Sequence, residues 1–133
     1  MPILSVLISG TPSAERSAVI AAALTELTAD ILRKEARLTS VAIQYVDPEH
    51  WAIGGRSLDA QRKTSFFLDV RVTERTNSTD EKVRYVAAVF GRMSKLLGEL
   101  HEASYVHVHE IPADAWGYGG LTQADRRLAV AAA

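Results

Sequence analysis

The chain has no cysteine, which removes disulfides, thiol nucleophiles and cysteine-bound metal from consideration. That absence suits a reducing compartment, and the cytoplasm is the expected location. No apolar run approaches the roughly 18 consecutive residues that suggest a membrane span, so no membrane partner is expected. No basic segment precedes the apolar N-terminal stretch, which argues against a secretory signal. An excess of one charge is also missing. With 15 Lys+Arg against 16 Asp+Glu the formal net charge is −1, giving no general attraction for nucleic acid. Histidine is scarce, and His50, His101, His107 and His109 lack the clustered spacing of a zinc site. His107 and His109 read first as alternate polar residues on one strand face. Neither a metal nor an organic cofactor is expected.

What remains is an ordinary composition, 47% hydrophobic and 23% charged over 133 residues, which suits one domain. The chain starts Met1-Pro2-Ile3-Leu4-Ser5-Val6-Leu7-Ile8. A small second residue is the usual condition for trimming Met1, and trimming here exposes the secondary amine of Pro2. An α-amine titrates near about 7.7–8.0, and apolar surroundings lower that value, so such an amine can serve as a base near neutrality.

The chain also contains one unit twice. Trp51-Ala52-Ile53-Gly54-Gly55 and Trp116-Gly117-Tyr118-Gly119-Gly120 share a W-x-x-G-G pattern, 65 residues apart (116 − 51). The same offset pairs Thr11 with Thr76, Ser13 with Ser78, Leu32 with Leu97 and Val41 with Val106. Each copy reads strand, helix, strand, turn. Residues 3–8 suit a buried strand, Ser13 a helix N-cap, and Ile20, Leu24, Leu27 and Ile31 one helix face. A second strand spans 40–46 and ends at Asp47-Pro48. In the second copy Leu68 to Thr73 alternates with period two, and Ser78 with Glu81 is a capping box. Val83, Val86, Phe90, Met93, Leu97 and Leu100 are expected to form the buried stripe of the helix that follows. Tyr105 to His109 alternates again, and Pro112 closes that strand.

These elements predict a single α+β domain over 1–133, with repeat one about 2–58, repeat two about 66–123 and a tail 124–133 that is helical or frayed. Two tandem β-α-β units should form a four-stranded mixed sheet with two helices on one face. Leu68, Val70, Val72, Val106 and Val108 would face the helices, and Asp69, Arg71, Thr73, His107 and His109 the other side. The 65-residue offset sets Pro2 level with Phe67, and so on the face away from the helices. A mixed face of this kind in so short a chain is expected to be covered by other subunits.

Met1-Pro2-Ile3, Leu38-Thr39-Ser40-Val41, His50 to Gly55 and Glu110 to Gly120 together resemble the tautomerase superfamily, over about residues 2–120. That superfamily includes 4-oxalocrotonate tautomerase, malonate semialdehyde decarboxylase and macrophage migration inhibitory factor, and the chain looks like a fused member. The resemblance implies a homotrimer acting on a small carboxylate substrate without a cofactor, with the N-terminal proline as general base or acid. It points to Pro2, to Arg75 and Asn77 at an arginine pair, to His107 at the second-strand arginine and to Trp51 and Trp116 as an aromatic wall. Catalysis is expected from Pro2, Arg75 and His107, and substrate binding from Asn77, Trp51, Trp116 and Tyr118 with Arg71 and His109, these last two for their place on the polar sheet face. Departures narrow the chemistry. The short enzymes' arginine after the first strand is replaced by Gly10-Thr11-Pro12, and their second-strand arginine by Ala42 and His107. The decarboxylase's aspartate falls at Ala36, and its second arginine at Asn77; the histidine of the chloroacrylic acid dehalogenases falls near Glu26. Enol–keto tautomerisation of a 2-hydroxydienoate or related α-keto acid is therefore the expected activity. The alternatives are a β-keto-acid decarboxylase, a hydratase or dehalogenase, and a catalytically silent trimeric scaffold.

Overall fold

The structure is a computed structural model that describes residues 1–132. Strand β1 (Ile3–Ser9) leads into helix α1 (Ala14–Leu32), which Ser13 caps by accepting a hydrogen bond from the Arg16 amide. Strand β2 (Ser40–Val46) lies parallel to β1, and a small hairpin follows, β3 (Ala52–Ile53) with β4 (Arg56–Ser57). The short helix α2 (Leu58–Gln61) leads to the second copy: β5 (Phe66–Thr73), α3 (Thr79–Leu97) and β6 (Tyr105–Ile111). A second hairpin, β7 (Gly117–Tyr118) and β8 (Leu121–Thr122), runs into the C-terminal helix α4 (Gln123–Ala132). The main sheet has the order β2-β1-β5-β6, with β1 and β5 antiparallel at its centre and each parallel to its own copy's second strand. This is the expected mixed sheet of two β-α-β units.

Both glycine pairs earn their place through the backbone. Gly54, Gly55, Gly119 and Gly120 all have positive φ, between 62° and 85°, which the tight hairpin turns require at both central positions. At Gly117 a β-carbon would collide with the Leu121 carbonyl oxygen, whereas the first hairpin accommodates Ala52 at the matching place.

The core lies between the sheet and the α1–α3 pair. Leu4, Val6 and Ile8 of β1 and Leu68, Val70 and Val72 of β5 are buried under Ile20, Leu24, Leu27 and Leu32 of α1. The face of α3 is rotated from the expected stripe: Tyr85, Val89 and Met93 are buried, while Val83 and Val86 are exposed at 62% and 42%. The reason is chemical. A periodicity count omits the tyrosine because its hydroxyl needs a partner, and here Thr28 supplies one. The Thr28 hydroxyl donates to the Leu24 carbonyl at 2.7 Å, so Tyr85 Oη donates to Thr28 Oγ1 at 2.8 Å. Burial pushes the Tyr85 phenol up to about 12. Thr28→Val leaves the tyrosine O–H without an acceptor in the core and is expected to cost about 1–3 kcal/mol. Thr28→Val with Tyr85→Phe should recover part of that loss, a comparison that urea melts of the three variants make directly.

The repeat is not uniform. The helices, second strands and hairpins match at 65 residues, but the first strands match at 64, so that Ser9 corresponds to Thr73. Three residues separate Ser9 from Ser13, and four separate Thr73 from Ser78. The extra residue sits in the β5–α3 loop, where Arg75 adopts a left-handed conformation with φ 64°. This one-residue shift reverses the expected parity. Pro2 corresponds to the fully buried Phe66, not to Phe67, and is itself buried on the helix side of the sheet with Leu4.

Candidate active site

Two topological rules bring the site together. The crossover helix α1 runs back along β1, so its C-terminus returns to the beginning of that strand. Because β5 is antiparallel to β1, the end of β5 and the loop after it arrive at the same place. Arg33 ends α1 in the left-handed conformation (φ 58°), and the chain turns there so that Lys34 comes beside the amino terminus. The second hairpin and α4 close the other side. The result is a cleft of about 860 Å³ reached by Met1, Lys34, Leu38, Thr73, Thr76 and Tyr118, among others.

A chain of hydrogen bonds ties the cleft's polar groups to one another. Lys34 Nζ donates to Thr76 Oγ1 at 2.8 Å, and Thr76 Oγ1 donates to the Thr73 carbonyl at 2.6 Å. Trp116 Nε1 donates to Thr73 Oγ1 at 3.2 Å. Lys34 has no carboxylate partner among the described residues and keeps two of its three donors for a ligand. The charge balance is one-sided: Arg33, Lys34, Arg37, Arg126 and Arg127 line the cleft against a single acid, Glu35. Burial first, and Lys34 second, push the amino-terminal ammonium below its ordinary pKa, with Glu35 opposing. Burial also lowers Lys34, assisted by the neighbouring Arg33 and opposed by Glu81 and Glu110.

Glu81 fixes this corner. Arg33 Nε donates to Glu81 Oε2 at 2.6 Å, while the Ser78 amide donates to Glu81 Oε1 at 2.8 Å. Glu81 closes the expected capping box with Ser78. The Arg33 bond, then the Ser78 amide, hold its carboxyl at about 2 instead of the usual 4.5. A carboxylate depressed in the folded state adds stability that is complete above its unfolded pKa and lost as pH falls through the folded one. Glu81→Gln is therefore expected to lower the melting temperature at neutral pH and to flatten its fall as pH drops from 4.5 toward 2, in melts across the acid range.

The residues singled out from the sequence divide into three groups. Met1 lines the cleft and Pro2, next in the chain, is buried behind it without lining the cleft itself; Tyr118 lines it, and Trp116 anchors Thr73. Asn77 is structurally engaged: its amide donates to the Leu32 carbonyl at 2.9 Å and to Glu81 at 3.3 Å, capping the end of α1. The remaining ones lie outside the cleft of a single chain. Arg71 approaches Asp69 at 3.8 Å, His107 stands 3.8 Å from the same carboxylate, and His107 stacks on His109 with ring centroids 5.3 Å apart. Arg75 is exposed on its loop, and Trp51 is half-buried at the other end of the molecule's repeat. Lys34 and the arginines of α4 were missed from the sequence. The signal for Lys34 was available, since a β-α-β crossover returns the end of its helix to the start of its strand.

Three comparisons bear on this arrangement. Residues 2–61 match the family described as tautomerase enzyme. No protein of curated function matches the chain in sequence. Among solved structures, a native fused 4-OT aligns with TM-score 0.81 and 22% identity over 92% of this chain and 97% of that one. A wild-type fused 4-OT described as an asymmetric trimer aligns at 0.80 and 18% identity, over 93% of this chain and 98% of that one. A macrophage migration inhibitory factor-like protein from Entamoeba histolytica aligns at 0.75 and 15%, covering 91% and 97%. The first repeat thus matches the tautomerase family in sequence, and the whole chain shares the fold of the fused 4-OT proteins.

Proposed function

We propose that the protein is a cofactor-independent enol–keto tautomerase of small α-keto acids, with Pro2 as the base once Met1 is removed. The observation that carries this reading is the amino terminus itself, which opens into a cation-lined cleft where burial and Lys34 favour the neutral amine. With Met1 in place the nitrogen of Pro2 is an amide without a proton or a free pair. Removal of Met1 moves the free amine one residue inward, to a position that is already buried. A neutral secondary amine there takes the enol O–H proton, and the resulting ammonium returns a proton to carbon, so that the amine is regenerated. Lys34 holds the carboxylate and offers a donor to the oxyanion that develops on the enol oxygen. Trp116 and Tyr118 exclude water. The burial and positive charge that lower the pKa of the Met1 ammonium would act in the same direction on a Pro2 amine one residue inward, which favours a base, and so tautomerisation, over decarboxylation or hydration.

The reading includes a homotrimer. The sheet face away from the helices exposes Ile3, Phe67 and Tyr105 beside Asp69, Arg71, His107 and His109, a mixture suited to burial between subunits. In such an assembly Arg75, Arg71 and His107 are the groups available to a neighbouring chain's cleft. The direct test mixes protein of verified intact mass, lacking Met1, with 2-hydroxymuconate and with phenylenolpyruvate. Acceleration of the loss of the enol's ultraviolet band over the buffer rate is expected. Buffer-rate decay of both enols would overturn the reading.

A further inference from the structure

The cleft holds a second amine besides the amino terminus, and the packing around it leaves it without a counter-ion among the described residues. Lys34 follows the end of α1 and is part-buried in the cleft wall. Glu81 and Glu110 are near enough to act on its charge, but each is bonded to another cation. Arg33 Nε donates to Glu81 at 2.6 Å, and Lys82 Nζ donates to Glu110 at 2.7 Å. Glu35, next in the chain, faces Arg37 at 3.4 Å. Lys34 is left with a neutral partner, the Thr76 hydroxyl, which accepts from Nζ at 2.8 Å. The hydrogen of that hydroxyl is engaged elsewhere, donated to the Thr73 carbonyl at 2.6 Å. Thr76 therefore cannot cover the electron pair of a neutral Lys34 amine. It takes one N–H and leaves the pair to the cleft. The other lysines differ: Lys82 is ion-paired, and Lys63 and Lys95 are exposed. The repeat differs too, since the 65-residue offset sets Glu99 against Lys34 and gives copy two no amine there.

The geometry points to Lys34 as a nucleophile that forms an imine with a small keto acid entering the cleft. Nζ bonds to the carbonyl carbon while the C=O pair moves to oxygen, and the resulting carbinolamine expels that oxygen. Both hydrogens of the neutral amine leave with it, so amine and ketone give imine and one water, with no oxidant or reductant. A desolvated lysine beside another cation is the arrangement that favours the neutral, attacking form. Burial and then Arg33 lower the Lys34 ammonium below its ordinary pKa, with Glu81 and Glu110 opposing. One side chain thus serves two tasks. Protonated, it holds a carboxylate; neutral, it bonds a carbonyl carbon. On the tautomerase reading the keto product is itself such a ligand, but imine formation needs only the cleft and a carbonyl.

Reductive trapping tests this without turnover of an enol. Protein of verified intact mass, lacking Met1, is incubated with pyruvate and cyanoborohydride in mildly alkaline buffer, and every amine is scored by peptide mapping. Hydride from the reagent converts C=N into a stable C–N bond, so a captured lysine carries one carboxyethyl group. Lys34 is expected to be modified about tenfold faster than Lys63 or Lys95, although both of those are more exposed, because each unit by which a lysine pKa falls gives about tenfold more neutral amine. Thr76→Val removes the acceptor that aims Nζ and should slow capture at Lys34 alone, with Thr76→Ser restoring it and the melting temperature checking the fold. Capture of Lys34 no faster than that of Lys63 and Lys95, or label confined to Pro2, would overturn the inference. Fast capture at Lys34 in a protein that turns over neither enol would overturn the tautomerase reading alone. Enol turnover with Lys34 unlabelled would overturn the nucleophile alone.

Discussion

Replacing Pro2 with alanine is expected to reduce kcat/KM for enol ketonisation by about a hundredfold or more, within the range that a positioned general base contributes. Alanine is also small enough for Met1 to be removed, so the variant keeps a free amine at the same place in the backbone. What it loses is the ring, which fixes the nitrogen's direction and makes it a secondary amine. The fold should not change, because residue 2 precedes β1 and contributes to the sheet only its carbonyl, which accepts from the Ser40 amide at 3.3 Å. A second comparison isolates the amine. Protein that retains Met1 has its amine one residue further out, half-buried and beside Lys34, and Pro2 is then an amide. Its rate should fall at least as far as that of Pro2→Ala. Equal rates for trimmed wild type, Pro2→Ala and the Met1-bearing form would remove Pro2 from the mechanism.

Lys34→Met is the other large effect, and it is expected to appear in two readouts. Loss of a charge-assisted bond to the substrate carboxylate costs about 1.5–3 kcal/mol, or about ten- to a hundredfold in kcat/KM. The second readout is the pH profile. Lys34 is the larger of two charges acting on the Met1 ammonium, whose pKa it lowers after burial, and it would act in the same direction on the Pro2 amine one residue inward. Removing the positive charge stabilises the ammonium, so the acid limb of kcat/KM should move to higher pH, though only in part, since burial remains. The base limb should also change. In wild type it reflects Lys34 losing its proton below the ordinary lysine value, a consequence of burial and of Arg33, and in Lys34→Met that contribution is gone. Methionine preserves length and an apolar stem. A fall in rate without any movement of the acid limb would leave Lys34 as a carboxylate holder alone.

Much of this was written in the sequence by itself. Period-two alternation in β5 and β6, the Ser78–Glu81 capping box and the two glycine-pair hairpins are local features, fixed by backbone geometry and by the pleat. The 65-residue repeat converted them into a topology, since two β-α-β units have few ways to share one sheet. The amino-terminal proline was legible for the same reason: it depends on position in the chain, not on contacts. Tertiary structure decided what local pattern does not encode. One added residue in the β5–α3 loop shifted the first strands to a 64-residue match and moved Pro2 to the helix side of the sheet, a slip that identity counting over the rest of the repeat conceals. Tyr85 became core only because Thr28, 57 residues away, accepts its hydroxyl proton. Lys34 and Arg127 look like ordinary surface cations in the sequence. They line one cleft because a crossover helix brings Lys34 beside the amino terminus, and a lengthened C-terminal helix brings Arg127 to the same cleft.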